Sequence, residues 1–182
     1  MFKHFTIYIL TALVGCLVSC KKIGKLKEFD LHYSHEVTIP SAGAIMPLPF
    51  EIVTPETTTN TKEDYKNEGT TSKLIDRVTL KDLTLSVKSP SSGNFDFLKS
   101  IEIYLASPNH EEILVASKYE IPETGLTTLT LDTYSTDLKG YMQDESFSLR
   151  FKVSSDRTVP YDLTIQSDET FHVKARLRNL FK

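Results

Sequence analysis

Past residue 20 the 182-residue chain contains no cysteine, since its two cysteines are Cys16 and Cys20. A disulfide framework is thereby excluded for the body of the protein, as are thiol catalysis and cysteine-ligated metals. Stability must come from packing. No basic cluster follows Lys27; Arg150, Lys152, Lys174 and Arg176 alternate with apolar residues as a solvated strand face does. With a formal charge of -3, this balance excludes a nucleic-acid-binding protein. Glycine-rich phosphate loops, serine nucleophile elbows and fixed-period repeats are absent. So are amphipathic runs long enough to serve as crossover helices, which excludes a βαβ series.

Only one long apolar run is present, from Phe5 to Val18, behind Lys3 and His4. Its length of about 14 residues falls short of the roughly 20 that span a bilayer. A basic head and a short apolar run read as a signal peptide. The run ends in Leu17-Val18-Ser19-Cys20, which resembles the lipobox of bacterial lipoproteins. That resemblance implies acylation of Cys20, cleavage before it and a partner that is the lipid bilayer. A second acyl chain makes such an anchor stable where one alone is marginal. The basic stretch Lys21-Lys22-Ile23-Gly24-Lys25-Leu26-Lys27 follows. Surface-exported Bacteroidota lipoproteins usually carry an acidic run there, so the departure favours a domain facing the periplasm over one on the cell surface; the anchor is read as an outer-membrane one, with surface exposure the alternative.

These readings divide the chain into a signal peptide over 1–19, a lipidated tether over 20–28 and a single domain over 29–182. Cleavage leaves 163 residues, enough for one hydrophobic core. Loss of Lys3 takes the formal charge from -3 to -4. Residues 29 to 39 alternate, with Phe29, Leu31, Tyr33, Val37 and Ile39 on one face and His35 in the same inward phase. Such a period of two predicts a strand with one buried side. Leu48, Phe50 and Ile52 repeat it beside Pro49, as a sheet-edge strand would. From Thr54 to Ser72 the chain is polar, which predicts a long loop with one helical turn around Glu63 to Asn67 and a decorative or disordered character.

Beyond the loop, the inward phase shifts from even to odd numbers near Lys81-Asp82, the signature of a β-bulge; a short helix over Ser72 to Val78 is the competing assignment. Turn signals at Ser89 to Asn94, Ser107 to Glu112 and Pro122 to Gly125 separate further strands. A second helical turn is expected within Asp132 to Tyr141. Phe147 to Val153, Tyr161 to Ile165 and Phe171 to Leu177 read as three more strands. Together these predict an all-β, antiparallel β-sandwich of about seven to nine strands, with a barrel as the structural rival.

Candidate ligand contacts are few. Tyr104 shares the polar phase with Glu102, where an aromatic ring can stack on a sugar or a peptide; Tyr65, Tyr119, Tyr134 and Tyr161 fall near loops or polar phases. Asn109 and His110 sit at an oxygen-rich hairpin tip, read as a solvated turn because its spacing is not that of a calcium loop. His32 and His35 point to opposite faces, so they form no paired metal ligand. His32 and His172 would meet only on neighbouring strands. No cofactor and no metal are expected. The small, cysteine-poor sandwich behind a lipobox resembles uncharacterised Bacteroidota lipoproteins, and no family motif in residues 29 to 177 adds a role; the absence of a catalytic constellation favours a non-catalytic interaction or structural role with an envelope protein or glycan. The alternative is a carbohydrate- or ligand-binding lipoprotein of nutrient uptake, and an enzyme comes third.

Overall fold

The computed structural model describes residues 26–41, 49–155, 157–159 and 161–177; the leader, Cys20 and Leu48 lie outside them. Ten strands form two antiparallel sheets packed as a sandwich. They are β1 (Leu26–Ile39), β2 (Phe50–Val53), β3 (Thr57–Thr58), β4 (Ile75–Ser89), β5 (Leu98–Ser107), β6 (His110–Tyr119), β7 (Thr128–Thr130), β8 (Asp132–Thr133), β9 (Ser146–Ser155) and β10 (Leu163–Arg176). The smaller sheet has the order β1-β10-β4-β7, and the larger β2-β9-β5-β6-β8, with β3 also on β9. One helix, α1 (Thr61–Asn67), lies between β3 and β4. Among the described residues no helix is long and apolar enough to cross a membrane.

Alternation places the core. Phe147, Phe151 and Phe171 are fully buried with Ile101, Ile103, Leu83 and Leu85 from the facing sheets. Tyr33 packs edge-on against Phe147 and Phe171, at centroid distances of 5.1 and 5.8 Å. The bulge falls where the phase shift predicts it: Leu80 pairs with Phe171 and Asp82 with Thr170, leaving Lys81 as the extra residue. Both Leu80 and Leu83 therefore reach the core. One buried residue, Leu131, carries the chain from β7 in the smaller sheet to β8 in the larger. Main-chain bonds from Leu131 to Leu83, Tyr134 to Val115 and Leu138 to Val78 then close that side.

Five sequence expectations need correction. Strand β1 starts at Leu26, so the last three residues of the expected 20–28 tether belong to the sandwich, and Lys27 there pairs with Glu68. Tyr161–Ile165 and Phe171–Leu177 are not separate strands but parts of a continuous β10, whose inward phase is carried through its middle by Ser167 and Glu169. Polar residues in a buried row erased the hydrophobic alternation. Residues 72–74 form a single 3-10 turn and the strand begins at Ile75, while the turn expected within 132–141 lies at Tyr141–Gln143.

The last correction concerns the 54–72 excursion, which is packed rather than decorative. Residues 50–59 run along β9, α1 follows, and Tyr65 is fully buried, edge-on to Phe29 at 6.1 Å. Threonines hold the segment down. Thr61 Oγ1 donates to the Met142 carbonyl (2.9 Å), Thr70 Oγ1 to the Arg176 carbonyl (2.8 Å), and Thr54 Oγ1 accepts from the Leu149 N–H (2.9 Å). A buried hydroxyl bonded to the main chain avoids the desolvation cost that makes polar composition look loop-like.

Candidate functional site

The outer face of the larger sheet is set by register. Tyr104 on β5 lies opposite Arg150 on β9, and Glu102 lies opposite Lys152 on β9 and Ser117 on β6. Two phenols converge on one carboxylate: Tyr119 Oη donates to Glu102 Oε1 (2.8 Å) and Tyr104 Oη to Glu102 Oε2 (3.0 Å). Lys152 Nζ stands 3.3 Å from the same carboxylate. Tyr119 first, with Tyr104 and Lys152, holds the Glu102 carboxyl below its ordinary value against partial burial. Glu102 in turn raises both phenols. Beside them Tyr134 Oη is 2.9 Å from Ser117 Oγ.

Arg150 completes the row. Its guanidinium makes a two-pronged bond to Glu112 (2.8 and 2.6 Å), donates to Glu51 (2.8 Å), and lies 4.4 Å above the Tyr104 ring centroid. That covers one face of Tyr104, the residue expected to contact ligand. The rings left open are Tyr119 and Tyr134, at 52% and 40% exposure. With hydroxyls tied down, they present fixed aromatic area at little entropic cost to a partner.

Asn109 and His110 lie exposed at the hairpin tip, as expected of a solvated turn, and there they also bind the chain to itself. Asp144 accepts from Ser107 Oγ (2.6 Å), Asn109 N–H (3.2 Å) and Asn109 Nδ2 (2.9 Å), and His110 Nδ1 lies 3.0 Å from it. Partial burial pushes the Asp144 carboxyl up, but these donors prevail and hold it far below the usual carboxylate range. The His110 ring also stacks on Tyr141 at 4.7 Å. Their polar groups are committed to fastening the β5–β6 hairpin to the turn before β9. Among the described residues, no group of three or more His, Cys, Asp or Glu side chains is arranged around a metal position.

A third constellation was missed in the sequence. Glu169 is fully buried; its Oε2 is 2.8 Å from His35 Nδ1 and its Oε1 accepts from Ser167 Oγ. His35 Nε2 reaches Thr57 Oγ1 at 2.5 Å. Burial pushes the Glu169 carboxyl up, opposed by its bonds to His35 and Ser167. Hydroxyl, imidazole and carboxylate in a row is the order of an activated nucleophile. Here the His35 and Glu169 side chains are 9% and 0% exposed, so the row acts as a clamp joining β1, β10 and β3. The signal available in the sequence was an acid in the inward phase between Ile165 and Phe171, matched by an inward histidine.

The remaining candidates are dispersed. β1 and β10 are neighbours, but His172 bonds Asp30 (2.7 Å) while His32 bonds Thr170 (3.2 Å), so the two histidines have separate partners. Tyr65 is core, not a contact residue, and Tyr161 donates to the Ser92 carbonyl at 3.4 Å.

No protein-family profile and no curated protein sequence matches this chain. Among solved structures it is similar to the 60-mer BFDV capsid protein, at 9% identity and TM-score 0.44, over 87% of this chain and 98% of that one. Desmodium yellow mottle tymovirus matches at 8% identity and TM-score 0.26 over 86% and 93%, and tomato aspermy virus at 9% and 0.24 over 97% of each. Identities and scores this low carry nothing about role.

Proposed function

We propose that this chain is an envelope lipoprotein, anchored to the outer membrane through acylated Cys20 and facing the periplasm, whose sandwich works by contact rather than catalysis. The contact surface is the outer face of the larger sheet. One observation carries this: Tyr119 and Tyr134 are held by Glu102 and Ser117 with their rings open to solvent. Immobilised aromatics on a flat strand face suit an envelope protein or a glycan, since both offer apolar area flanked by hydrogen-bonding groups. Glycan capture for nutrient uptake is the second reading and rests on the same two rings.

Photo-crosslinking in intact cells tests the surface. A benzophenone amino acid at Tyr119 or Tyr134 is expected to give a discrete adduct, with no such adduct from Thr79 on the opposite sheet. Equal labelling from both faces would overturn the assignment. Digestion of the adduct by protease or by glycan hydrolase then separates the two partner classes.

A further inference from the structure

A groove of about 560 Å³ by Lys81, formed with Glu28, Phe29, Asp30 and His172, has walls whose charges are paired with one another. A second, of about 540 Å³, is different. It is lined by Asp30, Leu31, His32, Tyr33 and Ser34 on one wall and by Thr57, Thr58, Asn60 and Asp64 on the other. Successive strand residues point to opposite faces. A cavity touching five in a row must therefore run along the strand's edge. β1 is the edge of the smaller sheet, paired along its whole length to β10 on one side only. Thr57 and Thr58 are likewise consecutive, paired on one side to Phe147 and Ser146 of the larger sheet. Two strand edges from opposite sheets thus face each other across one slot.

Charge in the slot is one-sided. No lysine or arginine lines it. Asp30 is neutralised by Lys81 and His172, but Asp64 has no ion pair among the described residues. Partial burial and then the neighbouring Glu63 push the Asp64 carboxyl up, as expected of an acid lacking a cation. Tyr33, which also lines the slot, has a buried hydroxyl without a hydrogen-bonding partner. An occupant is called for that supplies main-chain donors and acceptors along one line and a cation at Asp64.

We propose that the slot between β1 and β3 takes an extended peptide segment of a partner protein, carrying a lysine or arginine, by β-strand addition. Its main chain pairs with the free edge over Asp30 to Ser34, about 17 Å of extended chain, and its cation meets Asp64. Such an insertion extends the contact between the smaller sheet and the larger beyond the His35–Thr57 bond that already links them on this side. On the other side Leu131 joins them from within the chain. Binding here is independent of the tyrosine face, which lies on the outside of the larger sheet.

The probe is a synthetic nine-residue peptide alternating valine and lysine, added to the lipid-free domain and followed by fluorescence anisotropy and amide hydrogen exchange. Expected are saturable binding and slowed exchange confined to 30–34 and 57–58. Three changes should each weaken binding at least tenfold: N-methylation of alternate peptide amides, glutamate in place of lysine, and Asp64→Asn in the protein. Binding indifferent to N-methylation, or without protection of β1, would overturn the proposal. So would a domain whose slot is already closed by a second copy, seen as a dimer in sedimentation that the peptide does not dissociate. Asp64 is partly exposed, and circular dichroism verifies that Asp64→Asn is folded before its affinity is read.

Discussion

At the scale of single residues, the strongest commitment is a carboxylate with no access to water. Glu169 is raised from its ordinary 4.5 by burial, against the bonds from His35 and Ser167. A raised acid contributes fully to stability below its ordinary value, and that contribution is lost as pH rises through the folded-state value. His35→Gln removes the imidazole whose bond opposes the burial-driven rise of the Glu169 carboxyl. Its destabilisation relative to the parent is expected to be largest at neutral pH, about 3–5 kcal/mol, as for other broken buried pairs. The difference should shrink as the pH falls through the raised folded-state value, below which Glu169 is protonated and carries no charge to compensate. Denaturant unfolding on either side of that value measures it; a penalty that does not change with pH would show that the pair is not ionic. The Tyr65 hydroxyl is the opposite case, a buried donor without a partner. Tyr65→Phe removes its desolvation cost and is expected to stabilise the fold by about 1 kcal/mol in the same assay.

At the scale of elements, the excursion between β2 and β4 behaves as structure because its threonines bond the main chain of other segments. Converting Thr61 and Thr70 to valine keeps the shape and removes both bonds. Each is expected to cost about 1 kcal/mol, and the double variant should be cut within 54–72 by a protease that leaves the parent intact. Cutting of the parent at the same rate would show that the threonines do not hold the segment. The contrast between β1 and this excursion also explains what was legible in the sequence. β4 with its Lys81 bulge and β5 are readable because apolar residues occupy every buried position, and β1 and β9 depart from that only at His35 and Ser155. The excursion and the middle of β10 are not, because Thr61, Thr70, Ser167 and Glu169 are buried through specific long-range partners. Period and composition report burial only when burial is apolar. Asn109 and His110 lie at an exposed tip, as alternation and turn residues indicate, but their partner Asp144, some 34 residues further on, is not legible in the sequence. Tyr104 was placed on the correct face, but the Arg150 that covers it comes from a strand not adjacent in sequence.

At the scale of the whole molecule, the proposed anchor fixes which end of the sandwich meets the membrane. Leu26 begins β1 six residues after Cys20, and a fully extended chain of that length spans about 20 Å. The near end therefore holds the start of β1, the end of β10, α1 and the Asp144-bound hairpin tip, which are linked through Lys27 to Glu68, Thr70 to Arg176, and Thr61 to Met142. Tyr119 sits at the far end of β6, opposite Ser100. With the proposed anchor in place, the open aromatic surface would lie at the end of the sandwich away from the bilayer. Cys20→Ser is expected to abolish metabolic palmitate labelling and to move the protein from the membrane to the soluble fraction while leaving thermal stability of the sandwich unchanged. Loss of labelling with retained fold assigns the anchor to this one thiol, because the folded body has no other cysteine to acylate. Persistent labelling would defeat the lipoprotein reading. Protease added to intact cells should spare the domain if the basic tether keeps it facing the periplasm, and its rapid loss would place the tyrosine face on the cell surface instead.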